Sequence, residues 1–301
     1  MSAIKESAGD KVFNMVNLIL MTLLMLVVLY PLVYIVSASI TNPDLVNTGK
    51  MWLLPKQITL EGYYRVFQDP EIIKGYGNTI IYTVGGTLIN LFLTLTAAYS
   101  LSKSHLYGRR VLMLLITFTM YFSGGMIPSY LLMRSLHLFN TYLALMICGA
   151  VSTTNLIISR TFYINGVPHE IEEAAFIDGC SPIRTFTAVV LPLSKALIGV
   201  MALYYGVAHW NSWFNALIYL TDRTKIPLQL ILREILIENQ MKAEMMAGGA
   251  YVDELLLDAQ VRAASLVRYS VIIVSSVPVL IIYPFLQRYF DKGVMIGSIK
   301  G

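Results

Sequence analysis

Long runs of apolar residues constrain this chain more than any other feature. A helix rises about 1.5 Å per residue, so about 20 predominantly apolar residues cross the ~30 Å hydrocarbon layer of a bilayer. Six stretches qualify, near 14–39, 77–102, 111–133, 141–164, 194–220 and 267–288. Inside lipid a backbone must satisfy its own N–H and C=O groups, and stretches of this length do so as helices. The expectation is an all-α polytopic membrane protein, one domain over 1–301 with six transmembrane helices. Composition agrees, since 13% of residues are charged where a soluble domain carries about a quarter. The first run follows Lys5 and Lys11 and could resemble a signal peptide, with Ser37-Ala38-Ser39 mimicking a cleavage site. It is about twice as long as a 7–15-residue signal core and reads as a retained span.

An even number of spans puts both termini on one side, together with the 103–110 turn and the connector that starts near Pro168. Lys and Arg divide evenly between the two sides. The positive-inside rule, however, weights short loops near span ends. The turn Ser102 to Arg110 carries Lys103, Arg109 and Arg110 and no acid. Both termini are therefore expected in the cytoplasm.

Several function classes lose support. The spans hold no Asp, Glu, Lys or Arg in their central portions; Arg134, Arg160, Lys195 and Arg268 sit at predicted ends. Ion-coupled transporters generally carry intramembrane ionisable groups, although sodium can also be held by backbone carbonyls, so a secondary transporter or facilitator stays as the alternative reading. No GxxxxGK[ST] loop is present, so ATP-powered transport would need its nucleotide site on another chain. Basic residues form no stripe interleaved with aromatics, which argues against nucleic acid as a partner. Cys148 and Cys180 make no disulfide framework, and His105, His137, His169 and His209 show no metal-ligand spacing. His169-Glu170 lacks the Cys-x-x-Cys that a zinc deaminase would require. With no GxSxG elbow either, no catalytic set is expected, and an enzyme ranks last.

The connector from Pro168 to Leu193 is the one loop whose local chemistry is fully specified. Pro168 suits a first helical position, and Glu170, Glu172 and Glu173 place negative charge on the first turn, where the helix dipole favours it. Ile171, Ala174, Ala175 and Asp178 fall at i, i+3, i+4 and i+7 and make one face small. Gly179 stands where a helix C′ residue needs positive φ. Ser181-Pro182 reads as the N-cap and first residue of a second helix running past Phe186 to a kink at Pro192.

Glu173-Ala174-Ala175, Asp178-Gly179 and Leu191-Pro192-Leu193 together resemble the EAA loop of permeases of binding-protein-dependent ABC importers. The segments Tyr121 to Leu132, His209 to Leu220 and Tyr283 to Gly301 are similar to the carbohydrate-uptake branch of that family, so the resemblance covers most of the chain. Two positions depart: Cys180 stands where alanine is usual, and Ala196 where a second proline often follows. The resemblance implies a bacterial inner-membrane, multi-pass permease whose loop 165–193 is a coupling helix between spans 4 and 5. It implies a cytosolic ABC ATPase dimer carrying ATP and Mg, with no cofactor on this chain. It also implies a second, homologous permease, an extracytoplasmic solute-binding protein and a sugar or oligosaccharide substrate moved by alternating access. In that scheme Glu170, Glu173, Ala174, Ala175, Asp178 and Gly179 form the coupling site, with Glu173 supplying an acidic contact, Ala174 and Ala175 close approach, and Gly179 the turn.

Two regions are candidates for a translocation path. In the third span, Tyr121 precedes Ser123-Gly124-Gly125, and Pro128 follows; the interruption is either a water-lined cavity or a kink for close packing. In the fifth, Tyr204, Asn211 and Asn215 fall at i, i+7 and i+11, beside Trp210, Trp213 and Phe214. Amides next to flat aromatic faces suit sugars, but a tryptophan belt at the outer interface is the preferred reading of Trp213, and Asn211 is the stronger lining candidate. The extracytoplasmic connector 221–266 carries Leu228, Ile231, Leu232, Ile235 and Leu236 at helical spacing, and a second amphipathic piece follows over 251–261. The first reads as a helix of about three turns, on the membrane surface or at a rim that meets a partner.

Overall fold

A computed structural model describes residues 7–247 and 267–284. The end of the sixth expected span and the tail after Pro284, and the second amphipathic piece over 251–261, lie outside the described residues. Among those described the fold is helical, with one isolated bridge between Thr41 and Ile58. The chain divides into two compact units, 1–69 with 235–274, and 70–234 with 275–301.

In the first unit, α1 (Ala8–Ser39) starts at a capping box in which Ser7 accepts from the Asp10 backbone N–H and Asp10 returns a bond to Ser7. Its apolar residues stay exposed along the helix until Ser37, Ala38 and Ser39 enter a small core with Val46 and Met51. Two short helices follow, α2 (Pro43–Asn47) and α3 (Glu61–Gln68).

The second unit is built around α4 (Pro70–Ser102), 33 residues without a break. It extends seven residues beyond the expected start, because the polar first turn at Glu71 and Lys74 projects past the apolar stretch. At 1.5 Å per residue it is a rod of about 50 Å. One face carries Asn78, Thr79, Tyr82, Asn90, Thr94 and Ala98, all buried. Those near its C-terminal half join Leu95, Tyr163, Val190, Met201 and Tyr205 in the main core.

Three expected spans are interrupted. The third is α5 (Arg109–Tyr121) and α6 (Met126–Ser135), bent by 117° at the Ser123-Gly124-Gly125 break. The fourth, expected as one helix over 141–164, is instead α7 (Tyr142–Ile147) and α8 (Thr153–Asn165). Gly149 is left-handed between them, and Ser152 opens a new helix by accepting from Asn155 N–H. The Ser-Thr-Thr-Asn run is a helix start that the hydropathy of the region hides. The fifth splits into α12 (Lys195–Trp210) and α13 (Trp213–Tyr219) around Asn211-Ser212.

The connector between α8 and α12 holds α9 (His169–Ile177), α10 (Pro182–Arg184), a π-helical turn over Thr185–Val190, and α11 (Leu191–Leu193). The last helices are α14 (Leu228–Ala247) and α15 (Val267–Pro284). Among the described residues three helices are long and apolar enough to cross a membrane, α1, α4 and α15, or five if each strongly bent pair counts as one span.

The start of α14 corrects an expectation. Its apolar stripe neither lies open nor waits for a partner: Leu228, Leu230, Ile231 and Leu232 are buried in the chain's own fold. Leu228 N–H donates to Thr79 Oγ1 (2.9 Å), and Gly75 on α4 admits the Ile231 side chain so closely that any Cβ there would collide with it. The helix also runs 20 residues rather than about three turns.

Candidate functional site

α9 forms where the sequence places it, with one shift: Pro168 is the N-cap, and His169 the first helical residue. The helix closes as expected, with Gly179 at φ +76, a conformation that only glycine adopts cheaply. Its N–H donates to the Phe176 carbonyl (3.0 Å) and the Cys180 N–H to the Ala175 carbonyl (3.0 Å). Ser181 then caps Pro182–Arg184. The kink falls at Ser194 rather than at Pro192, where the 182–193 and 195–210 segments bend by 83°. Ser194 is fully buried there and donates its hydroxyl to the Val190 carbonyl (2.7 Å).

Of the six residues expected to contact a cytosolic partner, Glu170, Glu173, Ala174, Asp178 and Gly179 are exposed. Ala175 is not: it is 8% exposed, covered by the chain itself, so its small side chain serves α9's seating. Two residues that sequence reasoning passed over stand out instead. Phe176 and Ile177 are 75% and 84% exposed at the tip of the helix, an apolar pair flanked by acids. Their signal in the sequence is two large apolar residues directly before the Asp-Gly stop of a short charged helix.

The adjacent glutamates part company. Glu173 faces outward, whereas Glu172 turns inward and forms an ion pair with Lys103 at the end of α4. The Lys103 ammonium also lies 4.2 Å from the centre of the Tyr99 ring. Between α9 and the 103–105 turn is a cleft of about 610 Å³, bordered by Lys103, His105, His169, Glu172 and Phe176. His105 and His169 thus share a cleft although they belong to different connectors. Among the described residues no group of His, Cys, Asp and Glu is arranged to hold a metal.

The candidate path residues are not gathered. The i, i+7, i+11 face of Tyr204, Asn211 and Asn215 assumes one helix, and the break at 211–212 resets the register. Asn211 is exposed and donates to the carbonyl of Val207 on its own helix (2.9 Å). Trp210 is buried, its indole N–H donating to the Ser275 carbonyl (3.0 Å) and its ring edge-on to Tyr76. Tyr121, Ser123, Gly124 and Gly125 are exposed, so the break in the third span borders no enclosed cavity among the described residues. The buried polar groups lie elsewhere, between α4 and α12: Asn90 pairs with His209 (3.1 Å) and Thr94 with Tyr205 (2.7 Å).

At the other end of α4, Asn78 donates to the carbonyls of Thr224 (2.8 Å) and Ile226 (3.0 Å), and Tyr82 to that of Lys225 (2.8 Å). Arg223 bridges Glu71 (2.9 Å) and Glu234 (2.6 Å), which raises the guanidinium's already high pKa. Hydrogen bonds from Thr224, assisted by Lys225, hold the Asp222 carboxyl below its usual range.

This chain is 39% identical over 296 residues to protein LplC of Bacillus subtilis, covering 98% of this chain and 97% of that one. It is 37% identical to the B. subtilis polygalacturonan/rhamnogalacturonan transport system permease protein YtcP, over 97% of this chain and 99% of the relative. The chain belongs to the permease family of sugar ABC transporters. A scan against protein-family models finds no match. Among solved structures, a bacterial ABC transporter involved in import of the acidic polysaccharide alginate superposes with a TM-score of 0.84 at 34% identity, covering 96% of this chain and 100% of that one. The carbohydrate-uptake branch expected from the segments 121–132, 209–220 and 283–301 is thereby established, and the chain is a transmembrane permease subunit of a sugar importer.

Proposed function

We propose that this permease is one of two membrane subunits of an importer that carries an oligosaccharide into the cell by ATP-driven alternating access. α9 acts as the coupling helix, inserting into a groove on a cytosolic ATPase. The observation that carries this reading is the exposed tip of α9, where Phe176 and Ile177 stand out between Glu173 and Asp178. A short rigid helix offering two large apolar side chains with an acidic rim fits a groove with an apolar floor and a basic edge. ATP and Mg sit on the ATPase dimer, a second homologous permease completes the pathway, and a solute-binding protein delivers substrate from outside. The exposed Tyr121 to Gly125 break, with Tyr204, Asn211 and Asn215, faces that second permease, so the path is formed between subunits. Buried Trp210 supports the pathway wall from behind. The termini and the 103–110 turn lie in the cytoplasm.

The substrate class follows the relatives: polygalacturonan and rhamnogalacturonan in one name and an acidic polysaccharide in the other point to uronate-containing oligosaccharides.

A gentle-detergent pull-down of the tagged chain tests the assembly. Wild type is expected to bring down an ATPase subunit and a second permease, and Glu173→Lys with Gly179→Pro to lose the ATPase alone. Wild type without an ATPase, in conditions that keep the membrane fold, would favour the ion-coupled alternative. Uptake of a polygalacturonan digest, but not of maltodextrins, by cells expressing the complex tests the substrate class.

A further inference from the structure

The coupling connector can pass motion to the membrane spans by two routes. One is covalent and runs through the π-helical turn Thr185–Val190 and the 83° bend at Ser194. The π turn and the bend interrupt the regular helix, so the covalent route is not one continuous rod. The other is through side chains. Glu172 and Lys103 are 14% and 16% exposed, so the ion pair is shielded from water, and the Lys103 ammonium also lies over the Tyr99 ring. Tyr99 in turn stacks on Phe186 of the π turn, ring centres 4.8 Å apart. The C-terminal end of α4 is fixed further by Arg160, whose Nε donates to the Leu101 carbonyl (2.9 Å). From this anchored end α4 runs unbroken to Asn78, Thr79 and Tyr82, which hold the 224–228 segment at its opposite end.

We propose that Glu172 is a positioning residue for transport: its ion pair with Lys103 locks the coupling helix to α4, and α4 carries the displacement rigidly to the 221–228 loop. The neighbouring glutamates then divide the labour, Glu173 for the partner and Glu172 for the chain's own lever. This rests on α9 docking to an ATPase. If the pair only held the connector folded, its loss would affect both ends of α4 and the connector together. A lock predicts instead that the connector still responds while the far end does not.

The experiment uses the whole complex, purified through a tag on this chain, in a background with Cys148→Ser and Cys180→Ser. Single cysteines at exposed Lys74 and Arg184 report on the far end of α4 and on the connector. Maleimide labelling rates are compared with and without ATP plus vanadate. In the parent complex both sites are expected to change rate about fivefold, the lower end of ordinary coupling. In Glu172→Gln or Lys103→Met, Arg184→Cys keeps its response and Lys74→Cys falls to a ratio near one. Exchanging the charges, Lys103→Glu with Glu172→Lys, restores it. Persistence of the Lys74→Cys response in either single variant, its absence from the parent, or failure of the exchange to restore it overturns the lock. Loss of the ATPase from the single variants also overturns it, by moving Glu172 into the docking surface. A parent complex without any ATPase sinks the docking reading itself and is distinguished by the same pull-down.

Discussion

At the scale of single residues, the tightest constraints sit where polar side chains are buried between α4 and α12. His209 is 8% exposed, and its ring covers Gly86, where any Cβ would run into the imidazole. Asn90→Leu would strand that imidazole without its partner, at a cost of about 1–3 kcal/mol. Thermal unfolding of the detergent-solubilised protein should show the loss. Gly86→Val should destabilise by a similar ~1–3 kcal/mol through overpacking, with Gly86→Ala falling between. Partly exposed Asp222 gives a pH test. Its carboxyl is depressed, so its contribution to the 221–225 turn is present above the ordinary aspartate value and fades as pH falls through the lowered one. Asp222→Asn should flatten that acid-side decline in proteolytic protection of the turn. None of these pairings was legible beforehand: Asn90 and His209 are 119 residues apart, and Asn90 drew no attention inside an apolar run. By contrast Gly179 was legible, because a positive φ at a helix end depends on four or five consecutive residues.

At the scale of elements, caps and breakers decide what hydropathy cannot. The third span was expected to break at Ser123-Gly124-Gly125, and it does. The fourth looked continuous because Cys148 to Val151 are uncharged, yet Ser152 caps a new helix. Ser152→Ala should cost about 1 kcal/mol, read as faster amide exchange over α8. In the fifth, a single-helix register was extended through Asn211-Ser212, and the face drawn from it dissolved. The apolar tip of α9 yields a sharper expectation. Phe176→Asp with Ile177→Asp should leave the permease folded, since both side chains are already in solvent, and lose at least tenfold in ATPase retention, about 1.4 kcal/mol or more. Retention equal to wild type would remove the tip from the docking surface.

For the whole molecule, the open question of sidedness has a direct measurement. Tyr107 is 98% exposed in the 103–110 turn and Trp52 80% exposed between α2 and α3. In intact cells, with both native cysteines replaced, a membrane-impermeant maleimide should label Trp52→Cys and spare Tyr107→Cys until the cells are opened. The reverse pattern would invert the topology. The apolar residues exposed along α1, α5 and α6 form a surface suited to lipid and, in the assembly proposed above, to the second permease. In that assembly the described chain would enclose no polar channel of its own among these candidates, because a pathway between two subunits is a surface in either one alone.

The sequence by itself determined the membrane, the helical class, the short helix after Pro168 with its glycine stop, and the family, because these rest on apolar length and on chemistry within one or two helical turns. Tertiary structure alone decided which glutamate faces inward, where Ala175 and the α14 stripe are spent, and which spans stay whole. Those outcomes depend on groups brought together across long separations, 69 residues for Glu172 with Lys103 and 148 for Asn78 with Ile226. Periodicity says which residues share a face; only packing says what that face meets.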